Sequence, residues 1–357
     1  MTETGHPQPP HRETQMSAPN TPRPTGRPRA AFAMAATTAQ SVLRPSVRTA
    51  FGEVCELAPE VLDDFGTEHA RAVLADTELL VTGWGCPPLD AAVLEVAPRL
   101  RAVAHTAGTV RGHVTEACWA RGIEVSSAAA ANALPVAEYT VAMILLGGKQ
   151  VLESAREYRA THRRDMLRTA LDVGNYRRTV GILSASLIGR RVIELLRPYD
   201  FQVLLHDPYV PDAEAAELGV ELVGLDELFA ASDIVSVHTP LLPATRGLVG
   251  ADQLAALRTG SLLINTSRGA VLDQDALTAE LVAGRLRAVL DVTEPEVLPD
   301  GHPLWDCPNA LITPHLAGSQ GNELDRLADL ALAEVTRWAA GDGFAHPVRP
   351  ERLAFLA

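Results

Sequence analysis

The stretch that most constrains the fold runs from Thr179 to Tyr209, TVGILSASLIGRRVIELLRPYDFQVLLHDPY. An apolar run (Val180 to Leu183) leads into a turn of small residues. A helical segment (Leu187 to Leu196) follows, then a second apolar run that closes on Asp207. That is one βαβ unit with an acid at the end of its second strand. In the dinucleotide fingerprint the turn reads G-x-G-x-x-G, with an Asp or Glu roughly 20 residues on. Here the three positions are Ser184, Ser186 and Gly189, so two of the three glycines are replaced. The first position permits the tight turn, the second lets the backbone approach a pyrophosphate, and the third lets helix and strand pack closely. A serine at a position that needs positive φ costs on the order of 1 kcal/mol over glycine. Elsewhere its hydroxyl joins the N–H groups of the helix N-terminus as a phosphate donor. We read Ser184 to Gly189, including Leu187 and Ile188, as a tolerated variant of a cofactor turn. The bland alternative is an ordinary βαβ turn that binds nothing.

A chain of 357 residues has room for two domains. Apolar content of 47% and charged content of 21% are those of a globular protein. The formal charge of −13 and the absence of a basic block argue against a nucleic-acid partner. The basic residues are arginines apart from Lys149, which looks like base composition and not function. Cys55, Cys86, Cys118 and Cys307 are scattered, with no CxxC and no histidine at ligand spacing, so no metal is expected. Reduced, buried thiols fit a reducing compartment. No run approaches membrane-spanning length and no signal pattern opens the chain, so a soluble cytoplasmic protein is expected.

Along the chain, residues 1–27 are rich in Pro, Thr, Gly and His and predict a disordered tail. Ala30 to Ala36 is the first strand candidate. Leu79 to Thr82, Leu100 to His105 and Ile123 to Ser126 come next, with a helix at Leu89 to Ala97. A long apolar helix is expected from Pro135 to about Arg159, with Pro135 in its first turn and Glu138 capping the dipole. After the βαβ opening come strands at Asp233 to His238, Ser261 to Thr266, Arg287 to Val292 and Ala310 to Thr313. Helices lie between them at Leu225 to Ala231, Ala251 to Leu257 and Asp275 to Gly284. The short apolar runs lack alternation, as strands buried on both faces of a parallel sheet do. Each ends in small or polar residues: His238-Thr239-Pro240, Asn265 to Gly269, Asp291 to Glu296, and Thr313-Pro314-His315. In a doubly wound sheet those ends share one crevice. The loop Thr106 to Thr109 follows a strand end in the first half, where its N–H groups suit a carboxylate. Asn322 to Ala340 has helical spacing and is expected to return to the first domain.

Three residues suit hydride chemistry on a 2-keto acid. Arg268 offers a two-point fork for a carboxylate. His315 is placed to exchange a proton with the carbonyl oxygen. Glu296 is placed to orient the imidazole. Each alone reads as well as a surface ion pair or a loop residue; three together at successive strand ends beside a dinucleotide turn do not.

The segments HTPLLPATRGLVG, NTSRGAVLDQDAL, LDVTEPEVLP and TPHLAGS resemble the D-isomer-specific 2-hydroxyacid dehydrogenase family, from about Val103 to Gly318. The resemblance implies Arg268 as substrate arginine, His315 as acid/base, and Glu296, five residues after Asp291, as its partner. It implies Asp291 near the nicotinamide carboxamide. Asp207 would lie on the adenosine ribose, which favours NAD over NADP because a 2′-phosphate meets like charge. His238, Thr239, Pro240, Thr266 and Gly318 would line the cofactor. Ala107 and Gly108 would hold the substrate carboxylate. Trp84 and Cys86 follow an inferred strand end of the first domain, where they suit a pocket wall, and Trp84 reads equally well as ordinary core. Ser184, Ser186 and the run Val110 to Thr115 depart from the family pattern.

The expected fold is α/β with two Rossmann-like or flavodoxin-like domains. The first part of a smaller, discontinuous substrate domain is 28–141. A doubly wound NAD domain is 142–316, and 317–357 carries a C-terminal helix back to the substrate domain. The expected activity is NAD(H)-linked interconversion of a small 2-keto and D-2-hydroxy acid, by a homodimer. The alternative is a non-catalytic, NAD(H)-sensing regulator on the same fold; an oxidiser of another small oxyanion is a second.

Overall fold

The computed structural model describes residues 26–163 and 173–355. The expected tail at 1–27 therefore falls almost wholly outside the described residues. The rest builds two parallel sheets. The first holds β1 (Arg29–Ala33), β2 (Glu56–Leu62), β3 (Leu79–Thr82), β4 (Ala102–His105) and β5 (Glu124–Ser127), in the order β2-β1-β3-β4-β5. The second holds β6 (Thr179–Leu183), β7 (Gln202–His206), β8 (Glu221–Leu222), β9 (Ile234–Val237), β10 (Leu262–Asn265), β11 (Arg287–Leu290) and β12 (Ala310–Ile312), in the order β12-β11-β10-β9-β6-β7-β8. Strand order reverses beside β6 in the second sheet and beside β1 in the first, which gives each sheet a crevice at its C-terminal edge.

Strands β3, β4, β9 and β10 are buried at every position, which is why they read as unbroken apolar runs. Two strands escaped the sequence reading. β2, ELAPEVL, is a half-exposed edge strand whose Pro59 weakens its signal, and an edge is where a strand tolerates proline. β8 is two residues long. The first strand also stops at Ala33 and not at Ala36, because the chain turns there into the short helix Ala36–Val42.

The long helix differs most from expectation. It spans Ala129–Gly148, six residues earlier than expected, and ends at a break where Gln150 has φ of 49°; a separate helix, Val151–Thr161, follows. Pro135 thus sits inside the helix, and Glu138 lies exposed at mid-helix, far from any dipole end. The helix is also long and apolar enough to cross a membrane by length and composition, with mean hydropathy 1.5, contrary to the expectation that no run was. In this fold its Ala137, Val141 and Ile144 are buried with Ile182 and Ile193, between the dinucleotide helix Leu187–Leu196 and the second sheet.

The helix Leu324–Ala340 packs on the first sheet through Leu327, Ala328, Ala331, Val335 and Trp338, beside Phe32 and Phe51. A buried acid on this helix fixes the path of the chain beyond it. Glu334 accepts from Ser126 Oγ at 2.8 Å and from the N–H groups of Ala345 (3.1 Å) and His346 (2.8 Å). Pro347 then pairs antiparallel with Ser126, and Val348 N–H donates to Val125 O at 2.7 Å, so the segment after the helix covers the open edge of β5.

Three histidines are buried: His105 and His238 at strand ends, and His113 in the turn that follows β4. Thr82 Oγ1 meets His105 Nδ1 at 2.9 Å and His113 Nε2 at 3.1 Å, and Ser236 Oγ meets His238 Nε2 at 2.9 Å. Burial, with His113 adding to it, pushes His105 down to about 3; burial takes His113 down to about 4 and His238 down to about 3. An unfolded histidine titrates near 6.5, so below that pH the unfolded chain takes up protons that the folded one refuses. The stability these groups contribute is whole above about pH 6.5 and falls as the pH drops towards 4. Between pH 6.5 and 5 the expected loss is roughly 1–2 kcal/mol per histidine. Urea unfolding at intervals from pH 7.5 to 5 checks this, and a midpoint that stays constant across the range contradicts it.

Candidate active site

The C-terminal edges of the two sheets face one another across a cleft of about 980 Å³. Ile188, Thr266, Ser267, Arg268, Asp291, His315, Ala317 and Gly318 line it on the side of the second sheet. Gln40, Ser41, Arg44, Trp84, Gly108, Thr109 and Asn132 line it on the side of the first.

Arg268 owes its position to Asn265, the last residue of β10. Asn265 Oδ1 accepts from Ser267 N (3.0 Å) and Ser267 Oγ (2.8 Å), and Asn265 Nδ2 donates to Arg268 O at 2.9 Å. The fully buried amide thereby folds the loop back on itself and projects the guanidinium into the cleft, where Nη1 donates to Ser267 O at 2.6 Å. Burial pulls Arg268 below the ordinary arginine range, Glu296 opposes that, and Arg111 adds to it. A partly desolvated guanidinium of this kind gains more from a carboxylate than one in water does.

His315 Nδ1 lies 2.5 Å from Glu296 Oε1. With the proton on Nδ1, Nε2 is the nitrogen available to a ligand. His315 has a positive φ of 50°, and a buried carboxylate holds its loop in that shape. Asp291 Oδ1 accepts from Thr313 Oγ1 (2.6 Å) and Leu316 N (2.9 Å), Oδ2 accepts from Ala317 N (3.0 Å), and Asp291 O accepts from His315 N (2.9 Å). On the other side, Gln274 grips the Glu296 loop, donating to Glu294 O at 2.6 Å and accepting from Glu294 N at 2.8 Å. The same loop crosses Gly269 so closely that a Cβ there would lie 2.1 Å from the Thr293 carbonyl carbon.

The dinucleotide turn resolves the two serine substitutions differently. Ser184 takes a positive φ of 80°, the conformation that favours glycine. Ser186 has φ of −60°, serves as N-cap of Leu187–Leu196, and accepts from Gly189 N at 3.3 Å. Ser184 gains a compensating contact, since its Oγ donates to Asp207 Oδ2 at 3.2 Å beside the Ala185 N–H at 2.8 Å. Gly189 admits no side chain: a Cβ would sit 2.1 Å from Ser184 O. The turn, the helix start with Leu187 exposed and Ile188 half-buried, and Asp207 at the end of β7 thus fit a dinucleotide pyrophosphate and ribose.

Other expected residues are present in less direct roles. Thr266 lines the cleft and meets Thr140 Oγ1 at 3.2 Å. His238, Thr239 and Pro240 are buried beside the end of β6 and back the turn from within. Ala107 is fully buried while Gly108 and Thr109 reach the cleft; Trp84 lines it and Cys86 is buried beneath. Sequence reading passed over Asn132, whose Oδ1 accepts from Ser319 N at 3.0 Å and so links the long helix to the loop after His315. It also passed over Thr313 as a support for Asp291, Tyr139 behind it, and Gln40, Ser41 and Arg44. Only proximity in the fold marks these. Among the described residues, no group of three or more His, Cys, Asp or Glu side chains is arranged to hold a metal.

A family model described as D-isomer specific 2-hydroxyacid dehydrogenase, NAD binding domain, matches residues 141–317. Glyoxylate reductase of Korarchaeum cryptofilum is 32% identical over 262 residues, covering 71% of this chain and 78% of that protein. D-3-phosphoglycerate dehydrogenase of Mycobacterium tuberculosis is 32% identical over 306 residues, covering 85% of this chain and 56% of that enzyme. The chain therefore spans little more than half the length of those phosphoglycerate dehydrogenases. Among solved structures, the TT0316 protein from Thermus thermophilus matches with a TM-score of 0.70 at 28% identity, covering 90% of this chain and 100% of that one. Apo D-mandelate dehydrogenase of Rhodotorula graminis shares the fold, with a TM-score of 0.76 at 23% identity, covering 91% and 98%.

Two substitutions test this geometry. Ser184→Ala removes the hydroxyl contact but keeps the positive φ, so it is expected to destabilise by about 1 kcal/mol and to weaken NADH binding; Ser184→Gly relieves the backbone and is expected to be near neutral in thermal denaturation. Gly269→Ala must displace the Glu296 loop. It is expected to lower turnover more than it lowers NADH affinity, read by steady-state kinetics beside fluorescence titration, and unchanged turnover would refute the close approach.

Proposed function

This chain belongs to the D-isomer specific 2-hydroxyacid dehydrogenase family, and we propose that it moves a hydride between NAD(H) and a small 2-keto or D-2-hydroxy acid. The observation that carries the reading is the 2.5 Å contact between His315 and Glu296 in a cleft shared with Arg268. The dinucleotide, when bound, supplies or accepts the hydride. Arg268 takes the substrate carboxylate and draws on the carbonyl oxygen, together with the amides at Gly108 and Thr109. His315 delivers a proton from Nε2 to that oxygen during reduction and recovers it during oxidation. Glu296 holds Nδ1–H and sets the ring's orientation and tautomer. Asp291 acts behind them, by shaping the backbone that carries His315. Closure of the two sheets over the cleft excludes water from the transfer.

Asp207 supports NAD over NADP. Its carboxylate is turned towards the dinucleotide turn by Ala185 N and Tyr209 N (2.8 and 2.9 Å), where a 2′-phosphate meets like charge. Four free, buried cysteines support the cytoplasm as its compartment. The helix Val151–Thr161 buries none of its residues and exposes Val151, Leu152 and Tyr158, and Leu152 lines a groove with Met143, Leu146 and Leu311. We take that face as the contact of a homodimer. A non-catalytic regulator on this fold would leave the Glu296–His315 pair and the partly buried Arg268 without a purpose.

The test is oxidation of NADH with a panel of 2-keto acids. His315→Ala and Arg268→Ala are each expected to lower kcat/KM by about 10²–10⁴ while circular dichroism and NADH binding persist. Near-native turnover by both variants would overturn the assignment. NADH is expected to bind more tightly than NADPH, with Asp207→Ala narrowing the difference in fluorescence titration.

A further inference from the structure

The chemistry above occupies one end of the cleft. The cleft continues along the C-terminal edge of the first sheet, and its wall there follows the order of the strands. Gly108 and Thr109 come after β4, Trp84 comes after β3, and Gln40, Ser41 and Arg44 come from the helix and turn after β1. Strands β4, β3 and β1 are neighbours, so this wall extends two strand spacings, about 10 Å, beyond the loop that would hold the substrate carboxylate. β1 and β3 also flank the point where strand order reverses, which is where an open α/β sheet has its own crevice.

The chemistry of this far end is polar without net charge. Trp84 is 42% exposed and offers a broad apolar face. Gln40 presents an exposed amide. Ser41 donates to Thr37 O (3.1 Å) and Thr38 O (3.0 Å), which leaves its oxygen free to accept. Arg44 is the cation among the described residues of this end, and it is already matched: Nη1 donates to Asp325 at 2.8 Å and Nη2 donates to Gly321 O at 3.3 Å. Asp325 offsets that charge, so a phosphate or a second carboxylate gains less from it than from an unpaired arginine and meets the Asp325 carboxylate as a like charge. A hydroxylated chain carries no such penalty. Its hydroxyls can donate to Gln40, Ser41 and Asp325 and accept from Arg44, while its C–H face rests on Trp84.

We infer that the wall formed by Trp84, Gln40, Ser41 and Arg44 is a subsite for the polyhydroxylated tail of a 2-keto sugar acid. Such an acid, and not a phosphorylated three-carbon acid, is the preferred substrate class. The inference rests on the reading of the near end as a 2-keto acid site.

Steady-state kinetics of the full chain with NADH compares 2-keto-D-gluconate, glyoxylate and 3-phosphohydroxypyruvate in the native protein, Gln40→Ala and Arg44→Ala. The expected result is a native kcat/KM for 2-keto-D-gluconate at least about tenfold above the other two. Each variant should lower the ratio of 2-keto-D-gluconate to glyoxylate about tenfold, through KM for the sugar acid. A preference for glyoxylate or 3-phosphohydroxypyruvate overturns the inference, as does a ratio that neither variant moves. Absence of turnover with all three acids would refute hydride transfer to these acids instead. The subsite is then judged by calorimetric binding of 2-keto-D-gluconate to the NADH-bound protein: binding that Arg44→Ala abolishes upholds it, and no binding overturns it.

Discussion

The site depends on a single buried carboxylate. Asp291 stands at the end of β11 and has both oxygens filled, by Thr313 Oγ1, Leu316 N and Ala317 N, while its own carbonyl receives His315 N. Hydrogen bonds to a carboxylate are among the stronger ones available to a protein, and a buried carboxylate without partners is heavily penalised. The loop is therefore forced to wrap around Asp291, and wrapping places His315 in the left-handed region with its ring towards Glu296. Tyr139 OH meets Thr313 Oγ1 at 2.9 Å, which carries the constraint to the long helix Ala129–Gly148. The His315 loop is thus tied through hydrogen bonds to the element that packs along the helix Leu187–Leu196.

At the cofactor end a local preference yields to a larger demand. Ser184 occupies a conformation suited to glycine because Gly189 brings the helix to within contact of the Ser184 carbonyl, leaving the chain no wider turn. The hydroxyl offsets part of that strain by meeting Asp207, so the turn and the acid at the end of β7 are held as one unit. The replacement of two glycines in this turn has unequal consequences. Ser186 is a favourable helix cap, whereas Ser184 is a strained residue with a compensating bond.

The opposite wall obeys a different logic. Its residues come from successive strand ends of the first sheet, and that sheet is completed from the far end of the chain by Leu324–Ala340. Glu334 anchors this return through Ser126 and two backbone N–H groups. The Arg44–Asp325 pair belongs to the same return, since Asp325 lies in that helix. The C-terminal helix thereby shapes the polarity of the cleft as well as the core of the sheet.

Much of this was legible in the linear chain. The βαβ unit, the buried strands of the second sheet and the Arg268, Glu296 and His315 positions carry short-range signals: apolar runs without alternation, small residues at turns, polar residues at strand ends. Such signals survive because a strand buried on both faces must be apolar throughout and its end must turn. β2 was not legible, because an edge strand needs neither. Nor was the start of the long helix: Pro135 looks like a first-turn residue, yet burial of Ala128 and Ala131 in the core of the first sheet, with Leu324 and Leu327, carries the helix back to Ala129. The sequence by itself determined the fold class and pointed to the βαβ turn and to Arg268, Glu296 and His315 at successive strand ends, since these rest on spacing within a few residues. Only the tertiary structure decided that Ser184 is the strained serine, that Asp291 shapes the histidine loop, and that Gln40, Ser41 and Arg44 share a cleft with Arg268. The strain at Ser184 is a matter of backbone dihedral angle, and the other two relations join residues separated in the chain that adjacent strand ends and the facing walls of the cleft bring together.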